Sequence, residues 1–282
     1  MPPPFDAPYM ERALLAGLLL AVPLGLLGTW VVLRGLAFFA HGVGVATFPG
    51  AVVGLGLPAI GPFAGSLGAA AAFTAAVSWL ERHHRLRGGA VTGLVLAMAL
   101  AIGALLLTSV FRVSAPVESV LFGSLLAVSD ADVARCAAVA LATVPALVLS
   151  WPSLAAATFD REWAAPAGLR PGPADVLLLV LLALVVVTAL PAVGSLVVSG
   201  LLVVPAATAR LLTDRLGPMH ALAVALCGLE TVLGLALART LDIPPGAALA
   251  ALAGLGFGLV ATAVLALRRA RARRAPAVGV GA

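Results

Sequence analysis

Two ionisable side chains sit inside runs apolar enough to cross a bilayer: His41 in segment 36–57 and Glu230 in segment 219–238. Ionisable groups at that depth are costly, about 2.5–3.5 kcal/mol on insertion scales for a central Asp, Lys or Arg, and they turn towards the bundle interior. A neutral imidazole is cheaper there and binds divalent transition metals well; a carboxylate can join it from another helix. The chemistry open to His41 and Glu230 is therefore ligation of a divalent metal ion. The plainer readings stand beside it: a packed neutral histidine bonded to a carbonyl, and a protonated interior carboxyl. One histidine is a poor metal site, since zinc takes three or four protein or water ligands. Weak binding nevertheless suits conduction, because an ion held tightly does not leave.

Little else offers chemistry. His83 and His84 lie in the basic stretch ERHHRLRGG and His220 opens segment 219–238, so all three read as solvated or headgroup-facing. Cys136 and Cys227 fall within apolar runs and read as small buried residues rather than a disulfide. The chain has no lysine, so it cannot form a standard phosphate-binding P-loop. It also lacks HExxH, GxSxG and a cysteine paired with histidine. No enzyme site is expected, and no covalently bound cofactor.

The elements that must position these residues are membrane helices. The 282 residues are 62% hydrophobic and 10% charged, with a mean hydropathy of +1.14. Such values exclude a soluble domain and a disordered chain. All 17 basic residues are arginines that fall at span ends rather than in one patch, so no nucleic-acid partner is expected. The expected fold is all-α, a polytopic bundle of about nine transmembrane helices, or eight if one segment is re-entrant. The segments are 13–33, 36–57, 61–80, 90–111, 132–151, 175–190, 194–209, 219–238 and 246–267. They form one membrane domain over 1–267, followed by a basic tail over 268–282. Gly61/Gly65, Gly89/Gly93 and Gly254/Gly258 are small-residue pairs at helix-packing spacing. Trp30 and Trp151 read as interfacial anchors, and Asp214 with Arg215 as a local ion pair.

The run LVVSGLLVVPAATARLLTDRL (196–216) carries Pro205 near its middle. A proline there leaves the carbonyl four residues earlier without its helical donor. At membrane depth that is tolerable only where other protein or a wet cavity supplies one. The span therefore belongs inside a packed bundle.

Arginine placement sets orientation. Alternate connections hold Arg34, then Arg82, Arg85 and Arg87, then Arg161 and Arg170, then Arg210 and Arg215, then five arginines between 268 and 274. The intervening set holds only Arg12, Arg112, Arg135 and Arg239. The first set reads as cytoplasmic, with the amino terminus outside and the carboxy terminus inside. The longest cytoplasmic connection contains TFDREWAAPAGL (158–169). Asp160 can cap a short helix there, Glu162 favours its positive end, and Gly168 can stop it. An ordinary interfacial loop is the alternative.

Four blocks together resemble the permease subunits of ATP-binding-cassette importers for zinc, manganese and iron(II). They are RGLAFFAHGVGVATFPG (34–50), LFGSLLAVSDADV (121–133), TFDREWAAPAGL (158–169) and VGSLVVSGLLVVPAATARLLTDRL (193–216), with LDIPPGAALA following at 241–250. The resemblance implies a homodimeric permease in the plasma membrane of a prokaryote. Two copies of a separate ATPase would bind its cytoplasmic face, and an extracytoplasmic metal-binding protein would deliver the ion. It also implies that 158–169 is a coupling helix seated on the ATPase, with Phe159, Asp160, Glu162, Gly168 and Leu169 at that contact. Family members carry Gly-Asp-x-x-Ser-His in the first block, where the Asp and His resemble a transit site. Here His41 stands at the aspartate position and Val45 at the histidine position.

The sequence thus reads as a permease for a divalent metal, zinc or manganese first, with the ion as cargo and lipid as surroundings. The rivals are a gradient-driven secondary transporter and a membrane assembly subunit that no longer transports.

Overall fold

Within a bilayer every backbone polar group needs an internal partner, so apolar runs of this length fold as helices. The computed structural model describes residues 8–83, 89–111, 128–164 and 166–274, all helix and connections. The order is α1 (Pro8–Leu33), α2 (Ala37–Ala46), α3 (Phe48–Gly56), α4 (Gly61–His83), α5 (Gly89–Leu105) with a π-turn over Leu106–Val110, α6 (Asp130–Phe159), α7 (Arg161–Ala164), α8 (Pro171–Val193), α9 (Ser195–Leu212), α10 (Leu216–Leu241) and α11 (Pro245–Arg274). Among the described residues eight helical stretches are long and apolar enough to span, with α2 and α3 counting as one, and α9 is a shorter apolar helix. These coincide with the nine expected segments. The last helix continues to Arg274, past the expected end of the span at 267.

The second span is broken at Thr47. The Thr47 hydroxyl donates to the Gly44 carbonyl at 2.6 Å, and Pro49 occupies the first turn of α3. That break places His41 on a half-helix.

The bundle is organised around α1, whose buried face runs from Met10 to Val31. It packs on α10, α6, α9 and α8. Glycines make the close approaches. A Cβ at Gly28 would strike the Leu202 carbonyl oxygen of α9, and one at Gly25 would strike the Val224 backbone of α10. Of the three small-residue pairs, Gly61/Gly65 packs against Gly54 and Gly50 of α3: a Cβ at Gly65 would strike the Gly50 carbonyl and one at Gly54 the Gly61 carbonyl, while Gly61 itself has open space and a φ of +73°. A Cβ at Gly89 or Gly93 would meet Phe38 at ordinary contact distance, and one at Gly254 or Gly258 would meet none of the described residues.

Ion pairs sort the connections into two ends. At one, Arg12 bonds Asp130 at the start of α6 (2.7 Å). At the other, Arg34 meets Asp175. The ends match the alternation read from the arginines, with residues 12 and 130 on one side and 34, 161 and 175 on the other.

Two aromatic expectations are corrected. Trp30 is no interfacial anchor: it is fully buried, with its ring 5.5 Å from that of Trp151. His220 is not headgroup-facing but buried, 4.4 Å from the Trp151 ring and 5.3 Å from Trp30. Its Nδ1 lies 2.8 Å from the Leu216 carbonyl one turn back. The reason is rotational: these residues occupy the inner faces of α1 and α10. Asp214, in the connection after α9, pairs with Arg210 of the last turn of that helix (2.8 Å) instead of Arg215.

Candidate functional site

His41 is half-buried on α2, and its Nδ1 lies 3.0 Å from the Ser199 hydroxyl of α9. Ser199 belongs to the fourth sequence block, His41 to the first. Tertiary packing brings together two blocks separated by 158 residues. The bond matters chemically. A histidine that ligates through one ring nitrogen needs the other held by a partner, which fixes tautomer and direction. With Nδ1 engaged by Ser199, Nε2 is the ring nitrogen left to meet any ligand. Sequence reasoning passed over Ser199, since one serine in an apolar helix carries no signal of its own.

Glu230 lies on a different face of the bundle. It is 8% exposed, and its Oε2 has no hydrogen-bond partner among the described residues. Its helix α10 packs on α1, α9 and α11, whereas α2 packs mainly on α9, α5, α8 and α4. His41 and Glu230 thus sit on helices whose main common neighbour is α9, and His41 bonds Ser199 rather than Glu230. Among the described residues no three His, Cys, Asp or Glu side chains gather into a metal centre. A cavity of about 660 Å³ between α4 and α8 contains neither residue. Its walls are mostly apolar, Leu67, Ala71, Leu179 and Val180 among them, with Thr74, Ser78 and Asp175 as polar lining.

The break at Pro205 is met as expected. The carbonyl left over is that of Leu201, and the Cys227 thiol of α10 donates to it at 3.7 Å. Cys227 is fully buried and free. Its sulfur therefore has a polar task beyond filling space, which the sequence reading did not foresee.

At the Arg34 end Arg161–Ala164 forms the short helix α7, and 166–168 is a turn. Asp160 Oδ1 accepts from the Trp163 amide at 2.9 Å, capping α7. Gly168 closes the turn with φ +71°, and the Leu169 amide donates to the Ala164 carbonyl at 2.9 Å. Ala164 is buried and anchors the turn, while Phe159 and Trp163 are 65% and 60% exposed. Glu162 is exposed beside them. The result is a rigid knob with two aromatic rings outward, a form suited to a groove on another protein. Of the second sequence block, 121–127 lies outside the described residues, as do His84 and the tail beyond 274.

Known proteins share this architecture. The chain is 33% identical over 258 residues to the chelated iron transport system membrane protein YfeC of Yersinia pestis, covering 90% of this chain and 86% of that protein. It is 30% identical over 251 residues to the manganese transport system membrane protein MntC of Halalkalibacterium halodurans, covering 89% and 86%. The solved structure of PsaBC from Streptococcus pneumoniae in complex with Fab superposes with a TM-score of 0.81 at 25% identity, over 90% of this chain and 91% of that one. An inward-facing metal-chelate type transporter, at 19% identity and a TM-score of 0.71, shares the fold. The family model for the ABC 3 transport family matches residues 6–264, nearly the whole bundle built around α1, and the chain belongs to that family.

Proposed function

We propose that this chain is the multi-pass permease subunit of an importer for manganese or iron, driven by a separate ATPase. One observation carries the reading: membrane subunits of manganese and of iron transport systems align with about nine-tenths of the chain. Zinc, expected beside manganese from the sequence, has no support among those relatives. The absence of lysine, hence of a standard P-loop, leaves a partner subunit or an ion gradient as the energy source. Family membership favours ATP over an ion gradient.

In this reading the permease works as a homodimer in a prokaryotic plasma membrane, with residues 1–267 forming the membrane domain. An extracytoplasmic metal-binding protein supplies the ion from the side of Arg12 and Asp130. The ATPase docks on the knob of Phe159, Asp160, Glu162, Gly168 and Leu169, on the arginine-rich side. His41, held by Ser199, makes a weak transit contact through Nε2 and leaves the other ligand positions to water. Glu230, on its own helix face, is a second contact rather than part of the same centre.

The test is uptake into vesicles holding the permease with its co-expressed ATPase, with the metal-binding protein of the same system added on the opposite side. Manganese or iron should accumulate only with ATP inside the compartment that the ATPase faces. No ATP-dependent accumulation of either metal would overturn the reading in favour of a non-transporting assembly subunit.

A further inference from the structure

Arg34 is the terminal residue of the α1 turn, and its guanidinium reaches three other points of the fold. NH1 donates to Asp175 Oδ1 of α8 at 2.6 Å, Nε to the Thr158 hydroxyl of α6 at 2.8 Å, and NH2 to the Leu154 carbonyl at 3.1 Å. The Thr158 hydroxyl donates in turn to that same Leu154 carbonyl at 2.6 Å, so the contacts close into a ring. The Arg34 side chain is only 13% exposed. The other oxygen of Asp175 accepts from Arg161 at 2.6 Å, and Arg161 is the first residue of α7. One carboxylate thus joins the docking knob to the end of α1.

We propose that Arg34 and Asp175 are positioning residues that transmit movement of the 158–169 knob to the ion path. The proposal rests on the reading of that knob as the ATPase contact. The route is continuous. From Arg34, α1 runs through Gly28, which abuts the Leu202 backbone of α9. Ser199, three residues before Leu202, holds His41. A planar guanidinium with several fixed donors carries both pull and rotation, which a lysine ammonium cannot do. Asp175 is needed for a second reason: it separates two guanidinium groups that would otherwise repel one another across the knob's base.

The experiment measures metal imported per ATP hydrolysed in the reconstituted permease–ATPase complex. Arg34→Gln and Asp175→Asn should each lower that ratio at least fivefold while the ATPase still co-purifies. The double variant should be no worse than the worse single one, because both break the same link. Arg34→Lys and Thr158→Val keep the packing nearly intact and should lower the ratio severalfold, which tests the link even if Arg34→Gln folds poorly. A ratio equal to the parent's in these gentler variants overturns the proposal, as does a parallel fall in uptake and hydrolysis. If Phe159→Gly/Asp160→Gly leaves ATPase association intact, the docking reading itself falls. Intact docking with an unchanged ratio removes only the link through Arg34.

Discussion

His41 on α2 and Ser199 on α9 meet at 3.0 Å, Nδ1 to hydroxyl. The contact ties the broken second span to the helix that carries Pro205, and in the proposed reading it would decide which imidazole nitrogen meets the ion. Partners that orient a ligating histidine are commonly worth about 10–100-fold in metal affinity or activity. Ser199→Ala should therefore raise the metal concentration for half-maximal uptake by about tenfold. His41→Ala should lower uptake at all concentrations with insertion and ATPase binding unchanged. Uptake equal to the parent's at equal expression would make His41 a packing residue and place the ion path elsewhere.

The knob at α7 gives a separable prediction. Removing both rings with Phe159→Ala and Trp163→Ala should weaken ATPase co-purification without lowering the amount of inserted permease, since both rings point outward. Asp160→Ala removes the cap on the Trp163 amide. A lost cap costs about 1 kcal/mol, which should loosen the knob and give a milder loss of association. An unchanged complex in all three would remove the docking role.

Orientation can be settled by labelling single cysteines in a variant without Cys136 and Cys227. Positions 158–170 and 268–274 should react from the cytoplasmic side. Position 130, joined to Arg12, should react from outside, together with 113–129. Reaction of 158–170 from outside would overturn both the topology and the docking proposal.

The Pro205–Cys227 relationship predicts a thermodynamic cycle. Cys227→Val deletes the donor to the Leu201 carbonyl and should cost about 1–3 kcal/mol, the range for a buried acceptor left unsatisfied. Cys227→Ser keeps a donor and should cost less. In a Pro205→Ala background the restored amide takes the Leu201 carbonyl, so Cys227→Val should become nearly neutral. Melting of the purified permease in detergent reads all four corners, and strict additivity would show that the thiol contributes packing only.

What could be read from the residues was local. Spans were visible because bilayer thickness imposes a run length that one dimension records. The cap at Asp160, the stop at Gly168 and the orphan carbonyl created by Pro205 were visible because each involves residues within one turn. Even the two ends of the bundle followed from which connections carry arginine.

The identity of each distant partner belonged to the tertiary structure. Leu201 found Cys227, His41 found Ser199 and Arg34 found Asp175 across 26, 158 and 141 residues. Trp30 and His220 turned inward against the expectation that both meet the interface. The physical reason is the solvent. In water the polar face of a helix marks its outside, so periodicity reports burial. In a bilayer the lipid is as apolar as the core, and the inner and outer faces of α1 or α10 differ mainly in residue size and in sparse polar groups. Sequence alone therefore determined which segments are helices in the membrane and where the charges must lie. Only packing decided which way each helix is turned, and with it which few polar atoms meet.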